Sequence, residues 1–226
     1  PTLSNLNLSI PASEKVAIVG YNRSGKSTLM QINSVLIREF SGALLFNGLP
    51  ANSLQLDSLR ENIGDLSSQE DIFKGSIMDN ILIGRDEIPL ARVLTVVEQV
   101  GLHHFVQRLP DGLNTELLPG GKGLPGSVKT KILVARAIVA EPSVLVLEDP
   151  IGNLDYRDRL AISQLLTDKN QTWTMLCVTE DPLLAAMCDR VVVLKNGEIV
   201  AVGTFSDIRQ TEHFDKIFRA SEPGES

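Results

Sequence analysis

Residues 20–27, Gly20-Tyr21-Asn22-Arg23-Ser24-Gly25-Lys26-Ser27, fit the pattern G-x-x-x-x-G-K-[ST] in full, and their surroundings narrow the fold sharply. The apolar run KVAIV at 15–19 stands before them, and helical spacing follows to about Arg38. Strand, glycine-rich loop and helix in that order form the setting that gives the pattern its meaning. There, successive backbone N–H groups and the positive end of the helix dipole cradle anionic phosphates. The candidate cradle is Gly20, Tyr21, Asn22, Arg23, Ser24, Gly25, Lys26, Ser27 and Thr28. In it Lys26 would reach the β- and γ-phosphates of a nucleotide and Ser27 would ligate Mg²⁺.

A second feature suits the same chemistry. Val144 to Leu147 is a continuous apolar run that ends in Glu148-Asp149-Pro150. With Met175 to Val178 and Val191 to Leu194, it has the character of strands buried on both faces of a parallel sheet. An acid at the end of such a strand is the usual metal-side partner of a phosphate loop. Neighbours on a strand point in different directions, so Glu148 is placed on the Mg²⁺ side and Asp149 nearer an attacking water.

Between these motifs the pattern alternates. Leu3, Leu6, Leu8 and Ile10 are strand-like; Leu44 to Phe46 leads into an Asn47-Gly48 hairpin turn; Asp57 to Asn62 reads as a short helix before a strand at Ile63 to Leu66. From Pro89 the period becomes helical, with Leu90, Val93, Leu94 and Val97 on one stripe and Gly101 past its end. This helical lobe, about 86–140, continues through Leu102 to Leu109, breaks at the Pro- and Gly-rich stretch 110–126 and resumes from about Ser127 to Ala140. Lys195-Asn196-Gly197 joins Val191 to Leu194 with Glu198 to Val202 as a hairpin. A polar helix and a tail at about 221–226, expected to be mobile, close the chain.

Composition excludes several classes. At 226 residues, 43% hydrophobic and 22% charged, the chain is an ordinary globular one that reads as soluble by itself. Its 28 acidic and 21 basic residues, net −7, provide no basic footprint for nucleic acid, so no nucleic-acid partner is expected. Cys177 and Cys188 lie in apolar runs without metal-ligand spacing and read as buried, reduced thiols. His103 and His104 are adjacent on a helix and face different ways, which suits a solvated surface better than a metal site. No run approaches the ~20 apolar residues of a membrane span, and the start, Pro1, suggests a domain cut from something longer.

Taken together, these residues resemble the ATP-binding domain of ABC transporters over nearly the whole chain, here 1–226 as one domain. Gly20 to Thr28 resembles the family's Walker A loop, Val144 to Pro150 its Walker B strand, Gly152-Asn153-Leu154-Asp155 its D-loop, and 120–128 the segment holding its signature. Ile72 to Ile77, Asp79-Asn80-Ile81 and Gly101 to Leu117 are similar to bacterial exporters, especially the type I secretion and peptide-export group. The resemblance implies an α/β fold, a P-loop NTPase (RecA-like) core with an antiparallel β-subdomain and an inserted helical subdomain. It implies ATP and Mg²⁺ as cofactors, a second nucleotide-binding domain as partner in a homo- or heterodimer, and a membrane-spanning domain fused upstream, at the cytoplasmic face of a bacterial inner membrane.

Several positions depart from the family. The signature Leu-Ser-Gly-Gly-Gln is Leu124-Pro125-Gly126-Ser127-Val128 here, losing a hydroxyl and a backbone donor at Pro125 and gaining a side chain at Ser127. The acid pair is Glu148 then Asp149 rather than Asp then Glu. A shorter base displaced by about 1 Å can cost roughly 10²-fold in rate. The switch histidine is replaced by Glu180, which cannot donate to a γ-phosphate when ionised and repels it. Arg23 stands where glycine is usual. The Q-loop glutamine, a Mg²⁺-side residue, falls at Ser68 by gap-free counting, with Gln69 beside it as the candidate. The aromatic that stacks on adenine would precede Pro1. The catalytic candidates are thus Asp149, Glu148 and Glu180, in a domain that binds Mg-ATP and hydrolyses it slowly or not at all. The alternatives are a conventional ATPase of a homodimeric exporter and a soluble ABC-type regulatory protein.

Overall fold

The computed structural model describes residues 3–37, 40–67 and 71–218. The chain runs through β1 (Lys15–Gly20), α1 (Lys26–Asn33), β2 (Leu45–Phe46), β3 (Leu49–Pro50), α2 (Leu56–Glu61), β4 (Ile63–Leu66), β5 (Gly75–Ser76) and α3 (Ile77–Leu82). Next come α4 (Leu90–Gln99), α5 (His103–Gln107), β6 (Glu116–Leu117), α6 (Gly126–Ile138), β7 (Val144–Glu148) and α7 (Tyr156–Thr167). It closes with β8 (Thr174–Val178), α8 (Pro182–Met187), β9 (Arg190–Lys195), β10 (Glu198–Gly203), α9 (Phe205–Arg209) and α10 (Glu212–Phe218).

Six strands form one sheet in the order β10-β9-β1-β8-β7-β4, parallel except for β10, which turns back beside β9. The apolar runs explain the arrangement: β1 is buried along its length, and β7, β8 and β9 are buried through their centres. Strands without a polar face must be covered on both sides. One cover includes α3 to α7 and the C-terminal helices, packed on Ala17, Val19, Leu145, Leu147, Val191 and Val193. The other includes α1, α2 and the N-terminal stretch, packed on Val16, Ile18, Val146 and Val192. Cys177 and Cys188 are buried free thiols, as expected, and burial pushes Cys188 up to about 12.

Three expectations need correction. Leu3, Leu6, Leu8 and Ile10 do pack on the sheet, but 3–10 forms no regular strand, because Asn5 turns the backbone to a left-handed φ of 50°. Helix α1 ends at Asn33, short of Arg38. Val35 is buried at φ 57°, and the N–H groups of Leu36 and Ile37 both reach back to Gln31 O, closing the helix. In α4 the inward stripe is Val93, Val96, Val97 and Val100, while Leu90 and Leu94 are about half exposed. The antiparallel part is also small among the described residues: the β2–β3 hairpin, with Asn47 and Gly48 both at positive φ, the β9–β10 edge and the β5–β6 pair. Arg38 and the tail at 221–226 lie outside the described residues.

The segment leading into α3 is joined to α6 by a buried polar network. Asn80, fully buried, accepts from Phe73 N–H at 3.0 Å and donates to the carbonyls of Phe73 and Ser76, both at 3.0 Å. Arg136 of α6 donates through Nε to Asn80 O at 2.7 Å, through Nη2 to Asn80 Oδ1 at 3.1 Å and through Nη1 to Asp71 O at 3.1 Å. Its guanidinium also lies 5.6 Å from the centre of the Phe73 ring. Asn80 and Arg136 are both buried, although Asp71 and Phe73 lie at the exposed rim, so losing the Asn80 amide leaves buried groups desolvated and without their partner. Asn80→Leu is expected to destabilise the domain by roughly 3 kcal/mol, seen as a lower urea midpoint at unchanged slope. An unchanged midpoint would show the network to be dispensable.

Candidate functional site

The phosphate loop leaves β1 at the C-terminal edge of the sheet, between β8 and β9. It is held there by backbone bonds: Tyr21 N–H to Leu194 O at 3.3 Å, Ser24 N–H to Tyr21 O at 3.1 Å, and Gly197 N–H to Ser24 O at 3.0 Å. Gly25, at φ 98°, precedes α1 in a conformation that disfavours any side chain. No side chain caps α1 and its first turn holds no acid, so its first N–H groups remain available to an anion. The hydroxyl of Ser24 is buried in the loop without a hydrogen-bond partner. Arg23 adopts φ 61°, which is why glycine is the natural residue at this position, and its side chain is exposed.

The charged groups converge on the same edge. Lys26 Nζ donates to Gly20 O at 2.7 Å and Tyr21 O at 3.0 Å, and lies 3.7 Å from Glu180 Oε1. Ser27 Oγ donates to Glu148 Oε1 at 2.6 Å. Glu148 therefore faces the loop, as its position on β7 requires. Asp149 turns away from it at φ 48°, with its backbone N–H bonded to Val178 O at 2.9 Å. Its carboxylate folds over the following turn, where a Cβ added to Gly152 would lie 2.1 Å from Asp149 Oδ2. Partial withdrawal from water, and then the carboxylates of Glu180, Asp181 and Glu148, hold the Asp149 carboxyl above its ordinary range.

The structure thus brings Lys26, Ser27, Glu148 and Glu180 together, with Asp149 at the rim. Gln69 and Ser68 lie outside the described residues. Leu124 and Pro125 lead into α6, whose first turn holds Gly126, Ser127 and Val128 and carries no side-chain cap. Among the described residues no group of three or more His, Cys, Asp or Glu side chains could hold a metal; His103 and His104, expected to face different ways, instead lie with ring centroids 3.8 Å apart. The oxygen pair of Ser27 and Glu148 nevertheless suits Mg²⁺, which usually takes one or two protein oxygens and fills its shell with phosphate and water.

Sequence reasoning missed two supports. Tyr21 OH meets His213 Nδ1 of α10 at 3.0 Å, with Lys195 Nζ 5.4 Å from the centre of the Tyr21 ring. Asp181 accepts from Leu183 N–H at the start of α8 and pairs with Arg159 of α7 at 3.0 Å. The Asp181-Pro182 pair is a legible helix start; the His213 contact spans 192 residues and has no local signal.

Two outcomes follow. Arg23→Gly is expected to raise stability by roughly 0.5–1 kcal/mol, since relief of the left-handed strain exceeds the added chain entropy of glycine; a lower urea midpoint would contradict this. An acid whose folded pKa is raised carries a penalty that is absent below its unfolded pKa and complete above the folded one. Asp149→Asn should therefore melt above wild type at neutral pH. The difference should close as pH falls through the ordinary carboxylate range near ~4; an advantage constant across that range would argue against the assigned cause.

Comparison with known proteins bears directly on these residues. The family described as "ABC transporter" matches residues 3–152, well over half of the chain. A multidrug efflux ATP-binding/permease protein of Mycobacterium bovis is 32% identical over 208 residues, 92% of this chain and 17% of that protein. A putative multidrug export ATP-binding/permease protein of Staphylococcus aureus is 31% identical over 208 residues, covering 92% and 36%. An uncharacterized ABC transporter ATP-binding protein of Bacillus subtilis is 29% identical over 220 residues, covering 97% and 36%. The chain thus spans well under half of these relatives' length. Among solved structures, a bacterial Atm1-family ABC exporter with ATP bound covers the whole chain with 39% of its own, at a TM-score of 0.89 and 26% identity. No helix among the described residues is long and apolar enough to cross a membrane. With its phosphate loop on β1 and an acid of β7 bonded to Ser27, the chain belongs to the ABC transporter family, as an ATP-binding domain of the kind found in ABC exporters.

Proposed function

We propose that this domain holds Mg-ATP on the loop 20–28, pairs with a second nucleotide-binding domain, and hydrolyses ATP slowly or not at all beside a more active partner. The observation that carries this reading is the division between two sets of side chains. Lys26 and Ser27 are in place with Glu148 2.6 Å from the Ser27 hydroxyl, which supports phosphate and Mg²⁺ binding. The residues that should complete hydrolysis differ: Asp149 leans over Gly152, and Glu180 takes the place of a neutral donor.

In this reading the α1 N-terminus and Lys26 bind the phosphates, and Ser27 with Glu148 hold Mg²⁺, whose part is to neutralise phosphate charge. A general base needs hydrogen-bond reach to the attacking water. Asp149, one methylene shorter than glutamate and turned toward the Gly152 turn, meets that requirement poorly. Leu124-Pro125-Gly126-Ser127-Val128 would offer a weakened contact to a nucleotide on the partner domain, so the full site is expected in a heterodimer.

Coupling to a membrane-spanning domain fused upstream, export as the direction of transport, and a place at the cytoplasmic face of the membrane belong to the same proposal. Their support is the exporter-type relatives and the bound-ATP exporter structure. The narrower likeness to type I secretion and peptide exporters rests on the spacing of 72–81 and 101–117.

Titration with labelled ATP in Mg²⁺ should give saturable binding that Lys26→Ala removes, with turnover well below the ~1 s⁻¹ at the low end of common enzyme rates. Absence of saturable binding would end the nucleotide reading. Turnover at ordinary rates that Asp149→Asn abolishes would instead favour the conventional homodimeric ATPase.

A further inference from the structure

We propose that Glu180 is a specificity-determining residue that biases this site against a terminal phosphoryl group, so that it holds a nucleoside diphosphate at least as tightly as the triphosphate. The inference rests on the reading of 20–28 as a nucleotide site and extends it to which phosphate state is retained.

An ammonium has three N–H donors and no acceptor. Two donors of Lys26 are used by the loop itself, at Gly20 O and Tyr21 O, and the ammonium is ion-paired with Glu180 Oε1 at 3.7 Å. The lysine of a phosphate loop serves the β- and γ-phosphates. Glu180 therefore stands beside the cation that a terminal phosphate would use. It supplies one negative charge already, and a γ-phosphate must either displace it or share the ammonium with it at close range.

Glu180 cannot simply swing its backbone away. Thr179 N–H donates to Ile18 O of β1 at 3.2 Å, and Asp181 N–H donates to Thr179 Oγ1 at 3.0 Å. Asp181 in turn caps α8 and pairs with Arg159. Both neighbours of Glu180 are thus tied down, and its side-chain torsions are what remain free to move. A diphosphate, lacking the outermost group, could use the loop N–H donors with less of this conflict.

The test compares the wild-type chain with Glu180→Gln and Glu180→His by equilibrium titration in Mg²⁺. The probes are ADP and an ATP analogue with a non-hydrolysable β,γ bridge. The wild type should bind ADP as tightly as the analogue or more tightly. Glu180→Gln should tighten the analogue about tenfold while moving ADP less than about threefold, and Glu180→His should do the same or more. Glu180 is exposed, so both variants should fold, which a thermal melt checks. A wild type that prefers the triphosphate by more than tenfold, or a ratio unmoved in both variants, would overturn the proposal. If neither nucleotide binds any of the three proteins, the nucleotide reading falls and this inference with it. If the triphosphate binds only the variants, the nucleotide reading survives and Glu180 is shown to be the obstacle.

Discussion

The hydrogen bonds that β1 makes along both edges govern everything built at the site. Lys15 to Ile18 pair with Met175 to Val178 of β8, and Val16 to Gly20 pair with Arg190 to Leu194 of β9. A strand held on both edges and buried on both faces has no freedom to slide, because a one-residue slip would lose the pairing on both sides. Its lower end is secured by Lys15, 1% exposed, whose ammonium donates to the carbonyls of Ser13, Gln171 and Trp173. Its upper end delivers the phosphate loop, which the backbone continues to hold through Leu194 O and Gly197 N–H. The loop is therefore rigid at its roots whatever its side chains do.

Charge is arranged differently. Glu148, Asp149, Glu180 and Asp181 meet at the strand ends, and the Asp149 carboxyl is raised first by its partial burial and then by the other three carboxylates. Lys26 answers Glu180 and Arg159 answers Asp181. A nucleotide arriving without its cation would meet like charge; one carrying Mg²⁺ brings the ion that lets the Ser27 and Glu148 oxygens act as ligands rather than as repellents. Metal and nucleotide should thus be mutually dependent here more than in a site rich in cations.

The parallel strands and the loop were legible because their signals are local. Continuous apolar runs at 144–147, 175–178 and 191–194 become β7, β8 and β9 almost residue for residue, and the glycine-lysine pattern lies where a strand meets a helix. The short pieces were less legible. Alternation at 3–10 gives the half-buried side chains that pack on the sheet without a strand, since the left-handed residue Asn5 breaks the extended run and burial alone cannot reveal it. In α4 the leucines were the natural choice for the inward stripe, yet the β-branched valines take it, because a 3.6-residue period fits Val93, Val96, Val97 and Val100 equally well. At the site, residue identities at Glu148, Asp149 and Glu180 were visible, but not that Asp149 folds over Gly152 or that Glu180 faces Lys26. Those depend on side-chain direction, and the Tyr21–His213 contact depends on chain ends meeting.

Backbone conformation is consistent with the proposed separation of binding from hydrolysis in one domain. Arg23 and Asp149 both sit at left-handed φ, each at the C-terminal edge of the sheet, and each costs of order 1–3 kcal/mol. Such residues persist only where the surroundings dictate the conformation. Asp149 is bonded through its N–H to Val178 O, and Arg23 is followed at once by Ser24, which the β9–β10 hairpin grips. The scaffold therefore imposes the loop and the turn after β7 on side chains that suit them poorly. Phosphate binding draws mainly on backbone N–H groups and one lysine, which this scaffold preserves. Hydrolysis draws on the reach of individual carboxylates and on a donor beside the γ-phosphate, and in the proposed reading those demands fall on Asp149 and Glu180.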